Sequence, residues 1–415
     1  MTKVIIQTYP TVGNLEEMAK YRPIGRNTEM FQRLLEEMRA LAVAADDLGY
    51  WGISHTEHHF HSEGVELSPD PGLYNLWAGT ATKRLHHGQL GYVLPTHDPV
   101  RLAERTAMID QMLQGRFFVG LARGYQSRWC DVLGQRIGVS GSDHGDKERD
   151  NLNWSLFREH YRILKMAWTW DLARYPGAYY RIPASREETP PWQPAHGMTD
   201  TYGVPGEVDS KGQVKGVSVV PRPYQKPHPP LFQAHSISPR TIGWCAREGV
   251  TPIIQFPSLA VCRALGEYYR RQAGEAGRKL QLGDGMGLIR VFHIAEDRGA
   301  ALAASQKYDD LIWNHWYRYF RYLELFRLPD EEGEVPKPGE LVSERLAGAG
   351  MSILGSIDDV KRGVEKTLNE FPAEYLVWHL AWRPMPAEEA IRQLELFATH
   401  IMPEFGLEFA GEQAH

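Results

Sequence analysis

Short apolar segments alternate with longer amphipathic segments along most of the chain. The first pair consists of Lys3 to Thr8, a short apolar strand, and Phe31 to Leu48, where apolar residues recur at helical spacing. The alternation continues and gives about eight strand–helix pairs. The later predicted strands are residues 51–54, 87–94, 116–124, 230–234, 251–255, 287–295 and 375–381. The later predicted helices are residues 74–84, 99–113, 151–168, 238–248, 259–276, 299–326, 356–370 and 387–401.

Strands of this length that alternate with helices predict a parallel sheet, and eight pairs favour a closed (β/α)8 barrel. Two open, doubly wound halves are the alternative, and they would need a linker in the middle of the chain. The best candidate, residues 174–229, is mostly rich in Pro, Gly and polar residues, but strand–helix pairs continue on both sides of it. We therefore predict an α/β fold, a TIM barrel forming one domain over residues 1–415, with insertions at about 174–229 and 327–350.

Composition narrows the functional class. The 415 residues are 42% apolar, which is ample for a large core, and the net charge is −6, so we expect no nucleic-acid partner. Three cysteines without C-x-x-C spacing argue against a disulfide framework and favour a reducing compartment. The apolar run near the N-terminus is too short for a signal peptide or a membrane span. The sequence thus predicts a cytoplasmic protein that binds neither nucleic acid nor membrane.

Four histidines crowd into residues 51–64, WGISHTEHHFHSEG, directly after the second predicted strand. The carboxyl ends of barrel strands carry the active site. His59 and His61 have the H-x-H spacing of metal-dependent barrel hydrolases, but such a site needs further ligands from later strands. A solvated loop is a second interpretation. We favour a third, acid–base chemistry at the base of a pocket, because the ordinary pKa of imidazole, about 6.5, lies near neutral pH.

A second informative stretch, QAHSISPRTIGW, follows the fifth predicted strand. Ser238 precedes Pro239, so it is a good N-cap, and the amino end of the helix that follows attracts anions. Ser236 adds a hydroxyl, and Arg123, at the end of the fourth strand, would add a guanidinium. An ordinary capped helix beside an ordinary arginine is the alternative. The sequence GDGMG at residues 283–287 leads into a strand, so it does not fit a dinucleotide-binding turn.

Five stretches in order along the chain resemble the luciferase-like flavin monooxygenases. They are EHHF at 57–60, the segment at 91–125 that begins GYVLPTHDPVRLAERT, FREHYRILKMAW at 157–168, RPYQKPHPPLFQAHSISP at 222–239, and GSIDDVKRGVEKTL at 355–368. The resemblance implies an eightfold barrel that binds reduced FMN. It implies catalytic roles for His58 and His59, with Glu57 in the same motif, and it associates His58 with acid–base work.

The resemblance also implies cofactor contacts. Arg123, Ser236 and Ser238 match positions that bind the phosphate. The further predicted contacts are His235, Tyr92 and Ala122. Ala122 stands where bacterial luciferase has a cysteine, so no role is expected to rest on a thiol.

Two family features need adjustment in this chain. A second phosphate-binding arginine is usual at a position that Ser155 occupies here, and Arg149 or Arg158 would have to replace it. A non-proline cis peptide is common in the third strand, and we expect it at Gly91–Tyr92.

The implied function is a two-component monooxygenase that uses reduced FMN and O2, through a flavin hydroperoxide. The substrate would be a hydrophobic aldehyde, ketone, terpenoid or aromatic compound. A separate NAD(P)H:flavin reductase would supply the reduced FMN, and a homodimer is expected. The predicted substrate pocket is Trp313, Trp316, Tyr317 and Phe60, although core packing would also explain the aromatic run at 313–326.

Three other functions stay open. One is a deazaflavin-dependent oxidoreductase of the same fold. The others are a metal-dependent barrel hydrolase using His59 and His61, which we disfavour since we expect no metal, and a flavoprotein without catalysis.

Overall fold

The computed structural model describes residues 2–142, 145–184, 196–380, 385–407 and 409. The chain forms two compact units, residues 1–91 with 231–415, and residues 92–230. The prediction of a single domain therefore stays a prediction. Among the described helices, none is both long and apolar enough to cross a membrane.

Eight parallel strands carry the fold. The described residues contain eleven strands in all, which are β1 Lys3–Thr8, β2 Gly52–His55, β3 His86–Val93, β4 Phe117–Ala122, β5 Tyr175–Pro176, β6 Arg181–Ile182, β7 Leu231–Ser236, β8 Thr251–Ile254, β9 Gly287–Ile294, β10 Ser352–Gly355 and β11 Tyr375–Leu380. Strands β1, β2, β3, β4, β7, β8, β9 and β11 follow one another in chain order, and β11 pairs with β1. The predicted (β/α)8 barrel is confirmed. Strand β10 pairs with the carboxyl half of β9, and β5 and β6 form a small antiparallel pair.

Helices follow the strands in alternation. They are α1 Leu15–Lys20, α2 Thr28–Asp47, α3 Pro71–Gly79, α4 Pro99–Met112, α5 Ser127–Leu133, α6 Lys147–Thr169, α7 His196–Tyr202, α8 Pro239–Glu248, α9 Leu259–Glu275, α10 Arg298–Trp313, α11 Val342–Ala349, α12 Ile357–Glu370, α13 Ala387–His400 and α14 Met402–Phe405. Ser238 caps α8 as predicted, with its hydroxyl accepting from the backbone N–H of Thr241. Its cap geometry explains why the helix begins at Pro239, which fits the first helical position.

Side chains on each barrel strand alternate between the helix layer and the barrel interior. On β1, Val4 and Ile6 pack in a core cluster with Leu41 of α2 and Phe397 of α13. Gln7, the residue after Ile6, therefore points into the barrel. The same alternation sets which polar residues reach the interior on β2 and β11.

Two predictions about local structure were wrong. The helix predicted over 299–326 ends at Trp313, and two 3₁₀ helices follow it, Tyr317–Phe320 and Tyr322–Phe326. Arg321 between them has a positive φ of 61°, which an α-helix does not accommodate. The non-proline cis peptide lies at Leu90–Gly91, one residue before the expected bond.

The two predicted insertions contain some regular structure. The described part of 174–229 includes β5, β6 and α7, and residues 185–195 lie outside the described residues. The segment 327–350 includes α11, which leads into β10. Arg345 of α11 is buried and forms ion pairs with Glu331 and Glu340 at 2.7 and 2.6 Å, so it anchors this segment.

Candidate active site

A buried carboxylate organises the loop that follows β2. Glu66 is completely buried, and its Oε2 accepts a hydrogen bond from the indole N–H of Trp316 at 2.8 Å. The hydroxyl of Tyr317 donates to Oε1 at 2.6 Å, and Nδ1 of His58 lies 2.7 Å from Oε2. The backbone φ of Glu66 is 52°, an uncommon value for a residue with a side chain. The contacts to two distant aromatic residues therefore hold this loop in a specific conformation.

Glu66 is ionised in this environment. Burial alone would raise the pKa of its carboxyl group, but the charge and hydrogen bond of His58, with smaller contributions from His61 and Tyr317, lower that pKa to about 2. A buried charge is tolerated when it is paired and its lone pairs are satisfied. The three donors around Glu66 meet that condition.

The adjacent histidines of the EHHF motif have different carboxylate partners. Nε2 of His59 lies 3.0 Å from Oε1 of Glu57, whereas His58 pairs with Glu66. The predicted catalytic residues are therefore close in the chain but form two separate pairs. Phe60 is 49% exposed and has a positive φ of 64°, and its ring centroid lies 5.9 Å from that of His59.

His61 completes the loop. Its Nδ1 donates to the carbonyl of Val65 at 2.9 Å, and its ring centroid lies 4.9 Å from that of Trp316. Burial and the neighbouring His58 lower the pKa of His61. His61 is therefore held as a packing and hydrogen-bonding residue of the loop.

His58, His61 and Glu66 are the group of potential metal ligands found within the described residues, with donor atoms that all lie within 4.8 Å of one another. This set differs from the His59–His61 pair considered in the sequence. Both oxygens of Glu66 already accept hydrogen bonds, and Nδ1 of His61 is bonded to a carbonyl. These contacts favour proton-sharing over metal ligation.

Aromatic rings pack beside this cluster. The ring centroids of Trp313 and Tyr317 are 5.3 Å apart, so two of the predicted pocket residues are in contact, and Trp316 joins them through Glu66. His379 of β11 lies between Trp313, at 4.9 Å, and Tyr9, at 4.2 Å. These rings form one aromatic cluster, which includes Tyr9 and His379, two residues that the sequence analysis missed. The assignment of Trp313, Trp316, Tyr317 and Phe60 to a substrate pocket stays a prediction.

Three polar side chains form one layer inside the barrel. Gln7 is the register partner of Ser54 on β2 and of His379 on β11, and all three are completely buried. Ser54 donates its hydroxyl to Oε1 of Gln7. The Nε2 group of Gln7 and both ring nitrogens of His379 have no hydrogen-bond partner in the described part of the chain. Burial lowers the pKa of His379 to about 4, so its ring is neutral at physiological pH.

The predicted phosphate-binding residues near α8 lie at the end of β7. The hydroxyl of Ser236 donates to the carbonyl of Gln233 at 3.1 Å, and that of Ser238 donates to Oγ1 of Thr241 at 3.0 Å. His235 has a positive φ of 49°, and its Nδ1 lies 2.5 Å from Oε1 of Gln255. Burial lowers the pKa of His235, so this segment offers hydroxyls, backbone N–H groups and a neutral imidazole.

The predicted cofactor residues of the 92–230 unit have partners within that unit. Arg123 donates from Nε to Asn153 at 2.9 Å, and its Nη2 pairs with Asp150 at 2.5 Å. Tyr92 is buried, with its ring 5.5 Å from that of His97, and Ala122 is the last residue of β4.

The candidates for a second phosphate-binding arginine are on α6. Arg149 forms an exposed pair with Asp146 at 3.3 Å, and Arg158 is exposed. The roles assigned to these residues and to Arg123 stay predictions.

Sequence analysis missed Glu66, His379 and Tyr9. Glu66 and His379 each have a signal in the sequence. Glu66 is a single acid between Val65 and Leu67, and His379 is a single histidine within the apolar strand YLVWHL. A lone polar residue in an apolar segment at the carboxyl end of a barrel strand is a candidate site residue.

Comparison with known sequences gives the family. Residues 24–332 match the sequence family described as luciferase-like monooxygenase. The chain belongs to this family. The match covers most of the 415 residues and agrees with the resemblance seen in the motifs.

One relative shares local similarity with part of this chain. An alkanal monooxygenase alpha chain from Photobacterium leiognathi is 35% identical over 114 residues, which are 28% of this chain and 31% of the relative.

Two solved structures resemble nearly the whole chain. The oxygenating constituent of 3,6-diketocamphane monooxygenase from Pseudomonas putida, a type II Baeyer–Villiger monooxygenase in complex with FMN, gives a TM-score of 0.71 at 18% identity over 97% of this chain and 98% of that one. A coenzyme F420-dependent tetrahydromethanopterin reductase from Methanopyrus kandleri gives 0.61 at 15% identity over 97% and 99%. At such identities the likeness establishes the fold, and the family places the chain among oxidoreductases.

Proposed function

We propose that this protein is the oxygenating component of a two-component monooxygenase, which uses reduced FMN and O2 to oxidise a hydrophobic organic substrate. The observation that carries the proposal is the burial of His58, the first histidine of the family motif, beside the aromatic residues Trp316 and Tyr317. A buried imidazole next to apolar rings can move a proton where bulk water does not compete.

The residues present fit FMN. The hydroxyls of Ser236 and Ser238 and the backbone N–H groups at the amino end of α8 would hold the phosphate, since this helix end has orphan donors. Gln7 and His379 have buried polar atoms without partners among the residues that the structure describes, and such atoms suit a group with hydrogen-bonding edges. Arg123 is the predicted guanidinium contact. Reduced FMN, when bound, would supply the two electrons that activate O2.

Side chains of the protein would transfer the proton, bind the substrate and exclude water. His58 would hold or donate a proton at Nε2, because its Nδ1 faces Glu66. Trp313 and Tyr317 would pack against the apolar body of the substrate and exclude water. Aldehydes, ketones, terpenoids and aromatic ketones fit this combination of an apolar wall and neutral polar groups.

Oxygen consumption tests the proposal. Purified protein, FMN, NADH and a flavin reductase would be combined with a panel of hydrophobic aldehydes and ketones, and O2 uptake coupled to oxygenated product would be measured. His58→Ala and His59→Ala are the informative variants, and the exposed His400→Ala is the matched control. If both active-site variants turned over at the rate of the control, the catalytic assignment would be wrong.

The same assay separates the alternatives. Hydride transfer to or from a reduced deazaflavin without O2 would favour a deazaflavin-dependent oxidoreductase. Stoichiometric zinc in elemental analysis would favour the hydrolase. No turnover with any substrate, despite FMN binding, would favour a flavoprotein without catalysis.

We also propose that the protein forms a homodimer through α2 and α3. Ala40, Val43 and Ala44 of α2 line a shallow groove beside Trp77 of α3, which is 45% exposed. Small residues allow close helix contact, and an exposed tryptophan is typical of interface anchors. Light scattering tests this: wild type should have the mass of a dimer, and Ala40→Glu should give a monomer.

A cytoplasmic location fits the requirement for a reductase and the chemistry of the cysteines. Cys130, Cys245 and Cys262 all lie within the described residues and form no disulfide.

A further inference from the structure

His58 has a carboxylate partner that lies outside the sequence motif. The motif suggests Glu57, the preceding residue, but Glu57 pairs with His59 at 3.0 Å. The carboxylate beside His58 is Glu66, whose Oε2 lies 2.7 Å from Nδ1. Eight positions along the chain, rather than one, separate the histidine from its partner.

Glu66 is held in place by other side chains. Trp316 donates to the same oxygen that faces His58, and Tyr317 donates to the other oxygen. The two donors fix both the position and the rotation of the carboxylate. A carboxylate that is ionised and fixed in this way orients a histidine strongly, since its charge favours an N–H at the facing nitrogen.

We propose that Glu66, braced by Trp316 and Tyr317, is the positioning residue for His58: it keeps the Nδ1 proton in place and so makes Nε2 the atom that exchanges a proton during turnover. The proposal rests on the proposed function for the role of His58 in turnover, but the assignment of the tautomer does not depend on it. No covalent step is involved, and only the proton at Nδ1 is shared with the carboxylate.

Other charged or titratable groups near His58 do not replace Glu66. The ring of His61 lies 5.5 Å from that of His58 and its Nδ1 is bonded to a carbonyl. Nδ1 of His235 lies beside Oε1 of Gln255, and His235 carries no negative charge that could replace that of Glu66. The hydroxyl of Tyr317 is bonded to Glu66.

The first experiment reads the tautomer directly. Nitrogen-15 NMR of histidine-labelled full-length protein, with flavin removed, distinguishes a protonated from an unprotonated ring nitrogen. In wild type at neutral pH, His58 should show its proton at Nδ1. Glu66→Leu should populate the Nε2–H form, because no acceptor then faces Nδ1. Glu66→Gln would not test this, since its carbonyl would stay beside the indole N–H of Trp316, which can only donate, and would still accept from Nδ1. Glu57→Gln is the matched control: it alters the neighbouring pair and should leave the His58 signals unchanged.

The second experiment reads turnover with the reductase assay. Glu66→Leu should lower kcat about 10- to 100-fold with little change in KM, as expected when the partner of an orienting hydrogen bond is lost. Glu66→Asp keeps the charge and should restore part of the rate.

A third variant guards against a folding defect. If Glu66→Leu does not fold, Tyr317→Phe removes one donor to Glu66 while keeping the ring, and should shift the His58 tautomer partially. A His58 proton at Nε2 in wild type, or an unchanged tautomer in Glu66→Leu, would overturn the proposal. An intact tautomer switch without any O2-dependent turnover would instead overturn the proposed function and leave the positioning role standing.

Discussion

Tyr317 donates its hydroxyl proton to Oε1 of Glu66 across 2.6 Å, although 251 positions separate the two residues in the chain. The bond joins the loop after β2 to the 3₁₀ segment after α10. Both partners are buried, so neither can exchange this bond for one with water. A buried donor or acceptor left without a partner costs about 1–3 kcal/mol.

Replacement of Tyr317 by Phe should therefore lower the free energy of unfolding by about 1–3 kcal/mol, because Glu66 loses one of its donors. Urea denaturation would measure the change. The exposed Tyr319→Phe, two residues away, should change stability by less than about 0.5 kcal/mol. Equal effects of the two substitutions would show that the bond to Glu66 contributes nothing.

Tyr317→Phe and Glu66→Gln should be non-additive. Residues that share a hydrogen bond typically give coupling energies of about 0.5–3 kcal/mol in a double-mutant cycle. Trp316→Phe should couple to Glu66→Gln in the same way, since Trp316 donates to the other oxygen. A sum of single effects equal to the double effect would contradict the shared contact.

Replacement of His379 should make the protein more stable and less active. Neither of its ring nitrogens has a partner among the described residues, and such burial is costly. His379→Phe removes the polar atoms and keeps a similar ring, so it should raise the free energy of unfolding by about 1–3 kcal/mol and reduce turnover. Urea denaturation and the oxygen assay would be run together, and a less stable variant would count against the prediction.

Stability should fall on acidification below about pH 6.5. Burial lowers the pKa of His55 to about 3 and that of His379 to about 4, so the unfolded chain binds protons that the folded chain does not. Stability from each group is fully present above its unfolded pKa and is lost as pH falls toward the folded value. Each histidine should contribute a slope of about 1.4 kcal/mol per pH unit within its window. His379→Phe should remove the contribution of His379 to the pH dependence of the free energy of unfolding between about pH 6.5 and 4. An unchanged slope would refute this.

Thr8→Val should affect stability alone. Thr8 lies next to Gln7 but points to the helix layer, where its hydroxyl is 2.6 Å from Nδ1 of His55. Loss of this bond should lower the free energy of unfolding by about 1–3 kcal/mol, while turnover stays at the wild-type rate. A large fall in kcat would mean that the outward face of β1 contributes to the site.

The barrel could be predicted from the sequence because the alternation of a short apolar strand with an amphipathic helix recurs about eight times. Strand β1 lies at the predicted residues, and the caps Asp98 and Ser238 begin α4 and α8 as expected. Apolar periodicity and capping are local properties, so a single sequence records them well.

The segment after Trp313 could not be predicted by periodicity. Its aromatic residues occur at helical spacing, but Trp316 and Tyr317 both donate to one carboxylate. Adjacent residues on an α-helix point about 100° apart and do not face a common partner. A tertiary contact therefore overrides the local pattern, and the partner, Glu66, is too far away in the chain for any window to include it.

Part of the candidate site also depends on contacts between residues that are far apart in the chain, which a local pattern does not record. The EHHF motif predicts roles for Glu57, His58 and His59, but it contains no sign of Glu66, the carboxylate that lies beside His58. The interior position of Gln7 and His379 follows only from the register of β1 with β11, which join the two ends of the chain.

The bracing of Glu66 has a consequence for motion. Its carboxylate connects the loop after β2 to the 3₁₀ segment after α10. Local opening of either segment would break the hydrogen bonds from Trp316 and Tyr317 to Glu66. Amide protons of the 3₁₀ segment and of the loop after β2 should therefore exchange with deuterium as one cooperative unit, and a ligand that opens one stretch would open both.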